Sequence, residues 1–393
     1  MSENVLKILL IEDSETDADL LIRFLKKEHF ECSISRVWTK DSFVNALKED
    51  NIDIIIADHS LPQFSGMDAF RIAKKGNKKI PFILVTGTVT EIILAEYAKE
   101  GIDDYILKEN LLRLPSAIEH VMGKKKIEIL NLKLEFAQKH IQDSINYAKS
   151  IQNSMLADTK LLSDDFSESF IIFKPKDILS GDFYWFKKDE HLFFAAAADC
   201  TGHGIPGALM SMIGMEKLNN IVLTTKEPAE ILINLNKSLE EALRQSTQFK
   251  HSQDGMDIAL CCINKETGSM KYSGANRPLW IIRSGKTEIE EIPATHKALG
   301  GNTIGAFPVF ENHEIKLQTG DTFFIFSDGY ADQFGGEFDR RLTTKRFREL
   351  LINIQAQTMT QQETTIRNYM EDWKADREQI DDILVIGIRI LSN

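Results

Sequence analysis

From Val5 to about Met122, short apolar runs alternate with helical patterns: KILLIED, TDADLLIRFLKKE, NIDIIIADHSLP, GMDAFRIAKKG, IPFILVTGT, EIILAEYAKEG and DDYILK follow one another. Strands separated by helices predict a parallel sheet wound on both faces, because parallel neighbours need long crossovers and the crossover helices cover the sheet. In such sheets functional groups collect at the carboxyl ends of the strands. Here those ends carry Glu12 and Asp13 after the first strand, Asp58 after the third, Thr86 after the fourth and Lys108 after the fifth.

Three close carboxylates suit a hard cation such as Mg2+, which keeps some waters and recruits phosphoryl oxygens. With charge neutralised there, Asp58 can attack a phosphoryl donor, Lys108 can pair with Asp58 or its phosphoryl group, and Thr86 can hydrogen-bond a phosphoryl oxygen. A single acidic residue at a strand end is usually a solvated helix cap. Five polar residues of the required kinds, in order, favour a site.

On these residues the stretch 1–122 resembles the response-regulator receiver family: IED at 11–13, ADHSLP at 57–62 with Gly66 beyond it, VTG at 85–87 and DDYILK at 103–108 carry the resemblance. It implies a flavodoxin-like fold in which Asp58 is the phosphoacceptor. Glu12, Asp13, Asp58 and the Ser60 carbonyl would hold Mg2+, and Tyr105 would be the aromatic switch residue. Glu109 stands where many receivers have proline, which leaves the loop after Lys108 open.

After Gly123 no proline or glycine occurs until Pro175, and Ile127, Leu130, Leu134, Ala137, Ile141, Ser144, Ala148, Ile151 and Met155 recur at alternating three- and four-residue steps. That is a coiled-coil seam with one polar position, and it predicts a connector helix over 123–157 and a homodimer through it. An amphipathic helix lying on its own neighbouring domain is the other reading of the pattern.

From Phe170 onward HLFFAAAAD, MDIALCCIN, LWIIRSG, TFFIFSDG and DDILVIGIRI read as buried strands, with helical stretches near 206–222, 228–245 and 344–370. The expected product over 158–393 is an α+β fold, an α-β-β-α sandwich. Asp182, Asp199, Asp328 and Asp381 each stand where an apolar run starts or stops, so they can converge in one cleft. Carboxylates without a histidine or cysteine ligand set suit Mn2+ or Mg2+ rather than zinc. Two such ions would clamp a phosphate and activate a water for in-line attack on phosphorus. The turn from Gly202 to Gly207 leads through Pro206 into a helix and can aim backbone amides at an anion.

About residues 140–393 resemble the SpoIIE/RsbU-type branch of the metal-dependent protein phosphatase (PPM) superfamily. The matching pieces are INYAKSIQNSML at 145–156, FKPKDILSGDFYW at 173–185, ADCTGHGIPGALMS at 198–211, DGMDIALCCI at 254–263, YSGANRPLW at 272–280, FSDGYADQFGG at 326–336 and DDILVIGIRI at 381–390. The resemblance implies that Asp182, Asp199, Asp328 and Asp381 serve two metal ions with the Cys200 carbonyl, Asp199 bridging. Ala157 and Asp158 stand where some relatives have proline, leaving the helix stop open.

Asp382 is the alternative to Asp381, since alternation along a strand turns only one of the pair inward. His203 invites a general-acid role, yet its spacing from Asp199 differs from that of the histidine in eukaryotic-type members. Lys174, Lys176, Asn276 and Arg277 are possible phosphate contacts or solvated charges. Asp254 and Asp257 read more readily as turn-forming than as ligands.

The formal charge of −12 argues against non-specific binding to nucleic acid or an anionic membrane. Four cysteines without metal-ligand spacing, no cleavable leader and no long apolar run lead us to expect a soluble, cytoplasmic protein. The two resemblances together imply a histidine kinase upstream and a phosphoprotein substrate, typically an anti-sigma-factor antagonist. A phosphorylation-gated binding adaptor with a phosphatase-like fold is the alternative, and the presence of all four aspartates weighs against it.

Overall fold

The computed structural model describes residues 5–49, 52–76, 80–87, 91–244, 255–300 and 309–391. The chain divides into two compact units, 1–139 and 140–393.

The first unit carries β1 (Leu6–Ile11), α1 (Glu15–Lys27), β2 (Cys32–Val37), α2 (Lys40–Ala46), β3 (Ile54–Asp58), α3 (Gly66–Lys75), β4 (Phe82–Thr86), α4 (Glu91–Glu100) and β5 (Asp104–Leu107). All five strands pair in parallel in the order β2-β1-β3-β4-β5. Every residue of β3 and β4 is buried, as expected of strands covered on both faces. Leu21, Leu25, Leu114, Ile118 and Val121 cover one face of the sheet, while Phe43, Met67 and Phe70 cover the other. This is the doubly wound α/β fold expected from the sequence.

A 3-10 turn (Lys108–Arg113) leads into α5 (Leu114–Met155), a 42-residue helix about 60 Å long at 1.5 Å per residue. It runs through Gly123 without interruption, although a helix-interior glycine costs about 1 kcal/mol relative to alanine. The composition change there is not an element boundary. Residues 131–144 are exposed throughout, including Leu134, Ala137, Ile141 and Ser144 of the apolar seam.

The second unit comprises α6 (Lys160–Asp165), β6 (Ser169–Lys174), β7 (Phe183–Asp189), β8 (Leu192–Cys200), α7 (Gly204–Ile221), α8 (Pro228–Arg244), β9 (Met256–Asn264), β10 (Ser269–Ala275), β11 (Leu279–Ile282), β12 (Ile289–Ile292), β13 (His313–Lys316), β14 (Thr322–Phe326), α9 (Gly329–Asp332), the short pair β15 (Phe334–Gly335) and β16 (Arg340–Arg341), α10 (Thr343–Ile354), α11 (Met359–Lys374) and β17 (Ile383–Arg389). One antiparallel sheet has the order β13-β10-β9-β8-β7 and the other β12-β11-β14-β17-β6. Their facing side chains, among them Phe193, Cys261, Phe323 and Leu384, form the central core. Helices α7 and α8 cover one outer face, and α10 and α11 the other. The result is an α-β-β-α sandwich.

The single helical stretch expected near 344–370 is two helices. The chain breaks after Ile354 and restarts at Thr358, whose side chain accepts from the Gln361 amide while the Gln361 side chain returns to the Thr358 amide. This capping box is a stronger stop-start signal than the continuous helical pattern around it.

Candidate functional site

In the first unit, the parallel register brings the ends of β1, β3, β4 and β5 together. Glu12, Asp13 and Asp58 offer oxygens that all lie within 4.8 Å of one another. The Lys108 ammonium donates to Asp58 Oδ2 at 2.9 Å, and also to Asp17 Oδ2 at 2.7 Å and Glu12 Oε2 at 3.4 Å. Burial pushes the Glu12 carboxyl above its ordinary range and the Asp58 charge adds to this, against the Ser14 amide and Lys108. Thr86 is buried at the end of β4. The Ser60 amide lies 3.4 Å from Asp58 Oδ1. Gly66 opens α3 where a Cβ would stand 2.5 Å from the Asp58 carbonyl oxygen, so only glycine permits this approach.

Tyr105 is half-buried, its ring centroid 6.4 Å from that of Tyr97. The Tyr97 hydroxyl shares a 2.7 Å hydrogen bond with His59 Nδ1, and burial, with the charges of Glu96 and Asp58, pushes its pKa up to about 12. Asp17 and Tyr97 escaped the sequence reading, because strand-end logic does not reach residues on α1 and α4, and His59, next to Asp58 at the end of β3, gains its role only from Tyr97.

In the second unit, Asp199 near the end of β8 pairs in antiparallel register with Asp257 of β9. Asp182 immediately precedes β7, Asp328 follows β14, and Asp381 precedes β17. The Arg277 guanidinium stands among them: one terminal nitrogen lies 2.7 Å from Asp199 Oδ2, 2.7 Å from Asp328 Oδ2 and 3.1 Å from Asp257 Oδ2. Burial pushes the Asp199 pKa up to about 7. Arg277 opposes that shift, while Asp328, Asp257 and Asp381 add to it. The Asp182 carboxyl is also pushed well above its ordinary range, by burial and then by Asp199, and its Oδ2 is buried with no hydrogen-bond partner. An oxygen-only donor set with an orphaned buried carboxylate oxygen fits a hard divalent cation.

The two neighbours at the start of β17 differ. Asp382 is buried and accepts from the Lys176 and Gly181 amides, both at 2.7 Å. Asp381 is exposed, with its pKa raised by burial of the carboxyl and by Asp328 and Asp382. The Cys200 thiol is buried, and that burial pushes it well above its ordinary range.

The glycines of the 202–207 turn have packing reasons of their own. Gly202 and Gly204 have φ of +85° and +66°. A Cβ on Gly207 would stand 2.2 Å from the Gly202 carbonyl oxygen. His203 Nδ1 lies 2.8 Å from Asp177 Oδ2 at the surface. Lys174 pairs with Glu371. The Asn276 side chain donates to Asp257 Oδ1 at 2.8 Å. Asp257 and Arg277 therefore belong to the acidic cluster, contrary to the turn-forming expectation for Asp257. Asp254 lies outside the described residues.

With this geometry in view, two family models match: Stage II sporulation protein E (SpoIIE) over residues 189–391 and the response regulator receiver domain over 8–119. The chain belongs to the SpoIIE family and joins to that domain a receiver domain. The SpoIIE match begins beyond Asp182. Among relatives, the phosphoserine phosphatase RsbU of Bacillus subtilis is 28% identical over 199 residues, 50% of this chain and 55% of that protein. The sensory transduction protein RegX3 of Mycolicibacterium smegmatis is 33% identical over 101 residues, 26% of this chain and 43% of its own length. The chain thus spans about half, or less, of the length of these relatives. The solved SiaA-PP2C domain of Pseudomonas aeruginosa is 28% identical, with a TM-score of 0.59 over 65% of this chain and 98% of that one. Among the described residues no helix is long and apolar enough to cross a membrane.

Proposed function

We propose that the chain is a two-component response regulator whose output is a metal-dependent protein serine/threonine phosphatase. The observation that carries this reading is the convergence of Asp182, Asp199, Asp257, Asp328 and Asp381, from five separate segments, at one end of the sandwich. Asp182, Asp199, Asp328, Asp381 and the Cys200 carbonyl would hold two Mn2+ or Mg2+ ions. Such ions, when bound, supply a Lewis acid for a phosphoryl oxygen and an activated water. The chain's own part is to fix the backbone beside Asp182, where the buried Asp382 accepts from the Gly181 amide, and to close the loop of Gly202 to Gly207 against Gly181.

In the receiver, Glu12, Asp13, Asp58 and the Ser60 carbonyl would hold Mg2+, and Asp58 would accept a phosphoryl group from a histidine kinase. Lys108 and Thr86 would then bind the phosphoryl oxygens, and Tyr105 would reorient with Thr86. Residues 1–122, 123–157 and 158–393 are the proposed receiver, connector and phosphatase domains. The exposed seam of α5 supports a homodimer, and a changed pairing or rotation of that helix would carry the signal. The substrate would be a phosphoserine or phosphothreonine protein of the cytoplasm, an anti-sigma-factor antagonist in a partner-switching circuit.

The test is Mn2+-dependent hydrolysis of p-nitrophenyl phosphate by the whole chain and by Asp199→Asn, with and without beryllofluoride on Asp58. Activity that requires metal and Asp199 supports the phosphatase, and a beryllofluoride effect supports the coupling. No hydrolysis in any condition refutes the enzyme and leaves the adaptor.

A further inference from the structure

Gln152 lies in the last turn of α5 and is 3% exposed, whereas the seam residues from Ile127 to Ser144 on the same helix are exposed. A buried side-chain amide is stable only when both its ends are paired, and here they are paired to the segment that leads into the acidic cluster. The Gln152 Nε2 donates to the Ser180 carbonyl at 2.6 Å and to Ser211 Oγ at 2.9 Å, and its Oε1 accepts from the Ser180 amide at 3.3 Å. One side chain thus reads both backbone groups of Ser180.

Ser180 leads directly into Gly181 and Asp182, and this stretch has little room to absorb a shift. The Gly181 amide is fixed on Asp382 Oδ2 at 2.7 Å. A Cβ at Gly181 would stand 2.6 Å from the Gly202 carbonyl oxygen and 3.0 Å from that of Cys200. The other partner, Ser211, sits on α7 behind the glycine turn, and its hydroxyl donates to the Ala208 carbonyl at 2.8 Å. Gln152 therefore ties α5 at once to the approach to Asp182 and to the helix that follows the glycine turn.

We propose that Gln152 is a positioning residue for the metal carboxylates, and that it makes their affinity for a divalent cation depend on the rotational setting of α5. The inference rests on the proposed metal-binding role of these aspartates. Successive helix residues point about 100° apart. A rotation of α5 by one position would withdraw the amide, leaving the buried Ser180 N–H without its partner and the Ser180 carbonyl with only the Ser211 hydroxyl at 3.4 Å. One setting of the helix satisfies Gln152, and in that setting Asp182 and the Gly181–Asp382 contact are held.

The experiment measures Mn2+ binding to the full chain by isothermal titration calorimetry after metal removal, for wild type, Gln152→Met, Gln152→Asn and the exposed control Asn153→Ala. Methionine keeps the length and volume of the side chain and removes the hydrogen bonds. Loss of a residue that orients a metal ligand typically weakens binding about 10–100-fold, and that loss is expected for both Gln152 variants. Hydrolysis by Gln152→Met should be regained at saturating Mn2+. If Gln152→Met does not fold, Ser211→Ala, which removes one of the three bonds, takes its place, with a loss of roughly 2–5-fold expected from a single neutral hydrogen bond. A merely structural Gln152 would lower the melting temperature equally in EDTA and in Mn2+ while leaving Mn2+ affinity within about twofold of wild type on the same scale, and that result overturns the inference. Wild type that binds no Mn2+ defeats the reading of the aspartates and this inference with it. Wild-type binding that the variants share unchanged defeats this inference alone.

Discussion

Replacing Arg277 by methionine removes the positive charge that stands among Asp199, Asp257 and Asp328, and its effect should reverse sign with metal. Deleting one partner of a fully buried, hydrogen-bonded ion pair costs about 3–5 kcal/mol. The Arg277 side chain is 13% exposed and its three partners 20%, 22% and 42%, so solvent screens part of the interaction and about 2–3 kcal/mol is a fair expectation. At roughly 2–4 °C per kcal/mol for a unit of this size, the metal-free variant should melt about 5–10 °C below wild type. Arg277 has to leave these oxygens when they hold a divalent ion, so whatever it contributes to the metal-free state is subtracted from metal affinity. At about 1.4 kcal/mol per tenfold, Arg277→Met should bind Mn2+ roughly 30- to 150-fold more tightly. Scanning calorimetry in EDTA and in saturating Mn2+, with titration calorimetry for the affinity, measures both sides. An equal melting loss in the two conditions, with unchanged Mn2+ affinity, would refute the idea that guanidinium and metal share the same carboxylates.

Gly66→Ala would drive a Cβ to 2.5 Å from the Asp58 carbonyl oxygen; an overpacking cost of about 1–3 kcal/mol and loss of acetyl-phosphate labelling at Asp58 are expected, and normal labelling would show that the loop can yield. Asp165 is half-buried with its carboxylate turned inward, yet its pairing with Lys265 and Lys188 outweighs that burial and holds its carboxyl below the ordinary range. Its contribution is therefore fully present above about pH 4 and lost as pH falls through the lowered value, so Asp165→Asn should cost about 1 kcal/mol at pH 7 and converge with wild type in acid; a pH-independent difference in urea midpoint would contradict this. Gly329→Ala puts a Cβ 2.0 Å from the Asp382 carbonyl oxygen, so Mn2+ affinity should fall together with stability, and a stable variant with native affinity would exclude the tight packing seen here.

The receiver site was legible because its chemistry sits on a local rule. In a parallel sheet every strand points its carboxyl end the same way, so Asp13, Asp58, Thr86 and Lys108 could be gathered from strand order alone. Asp17 could not, since it faces Lys108 from α1, and neither could the Tyr97–His59 hydrogen bond, which depends on how α4 packs against β3. In the second unit the aspartates at strand boundaries were visible, but an antiparallel sandwich has no such common direction. The opposition of Asp257 to Asp199 follows only from the register of β8 on β9. The Thr358–Gln361 capping box, by contrast, was readable and was outweighed by the continuous helical pattern.

Arg277 was the hardest residue to read, and the reason bears on how the protein survives without metal. Both acidic clusters carry like charges that repel, and in each a single cation of the same chain offsets part of that charge. Lys108 reaches three carboxylates in the receiver and Arg277 reaches three in the second unit. An ammonium is a compact point charge, and in the receiver it pairs with Asp58 Oδ2 while Oδ1 faces the Ser60 amide, leaving the carboxylates gathered. A guanidinium is larger, and its terminal nitrogen sits between Asp199, Asp257 and Asp328, which keeps them spaced. If that contrast governs metal binding, Arg277→Lys should not behave as a conservative change. The shorter side chain would not bring its cation as far among the three carboxylates, so the variant should lie between wild type and Arg277→Met in both metal-free stability and Mn2+ affinity. A lysine variant that matches wild type on both measures would mean that charge alone, and not the reach of the guanidinium, sets the metal-free state.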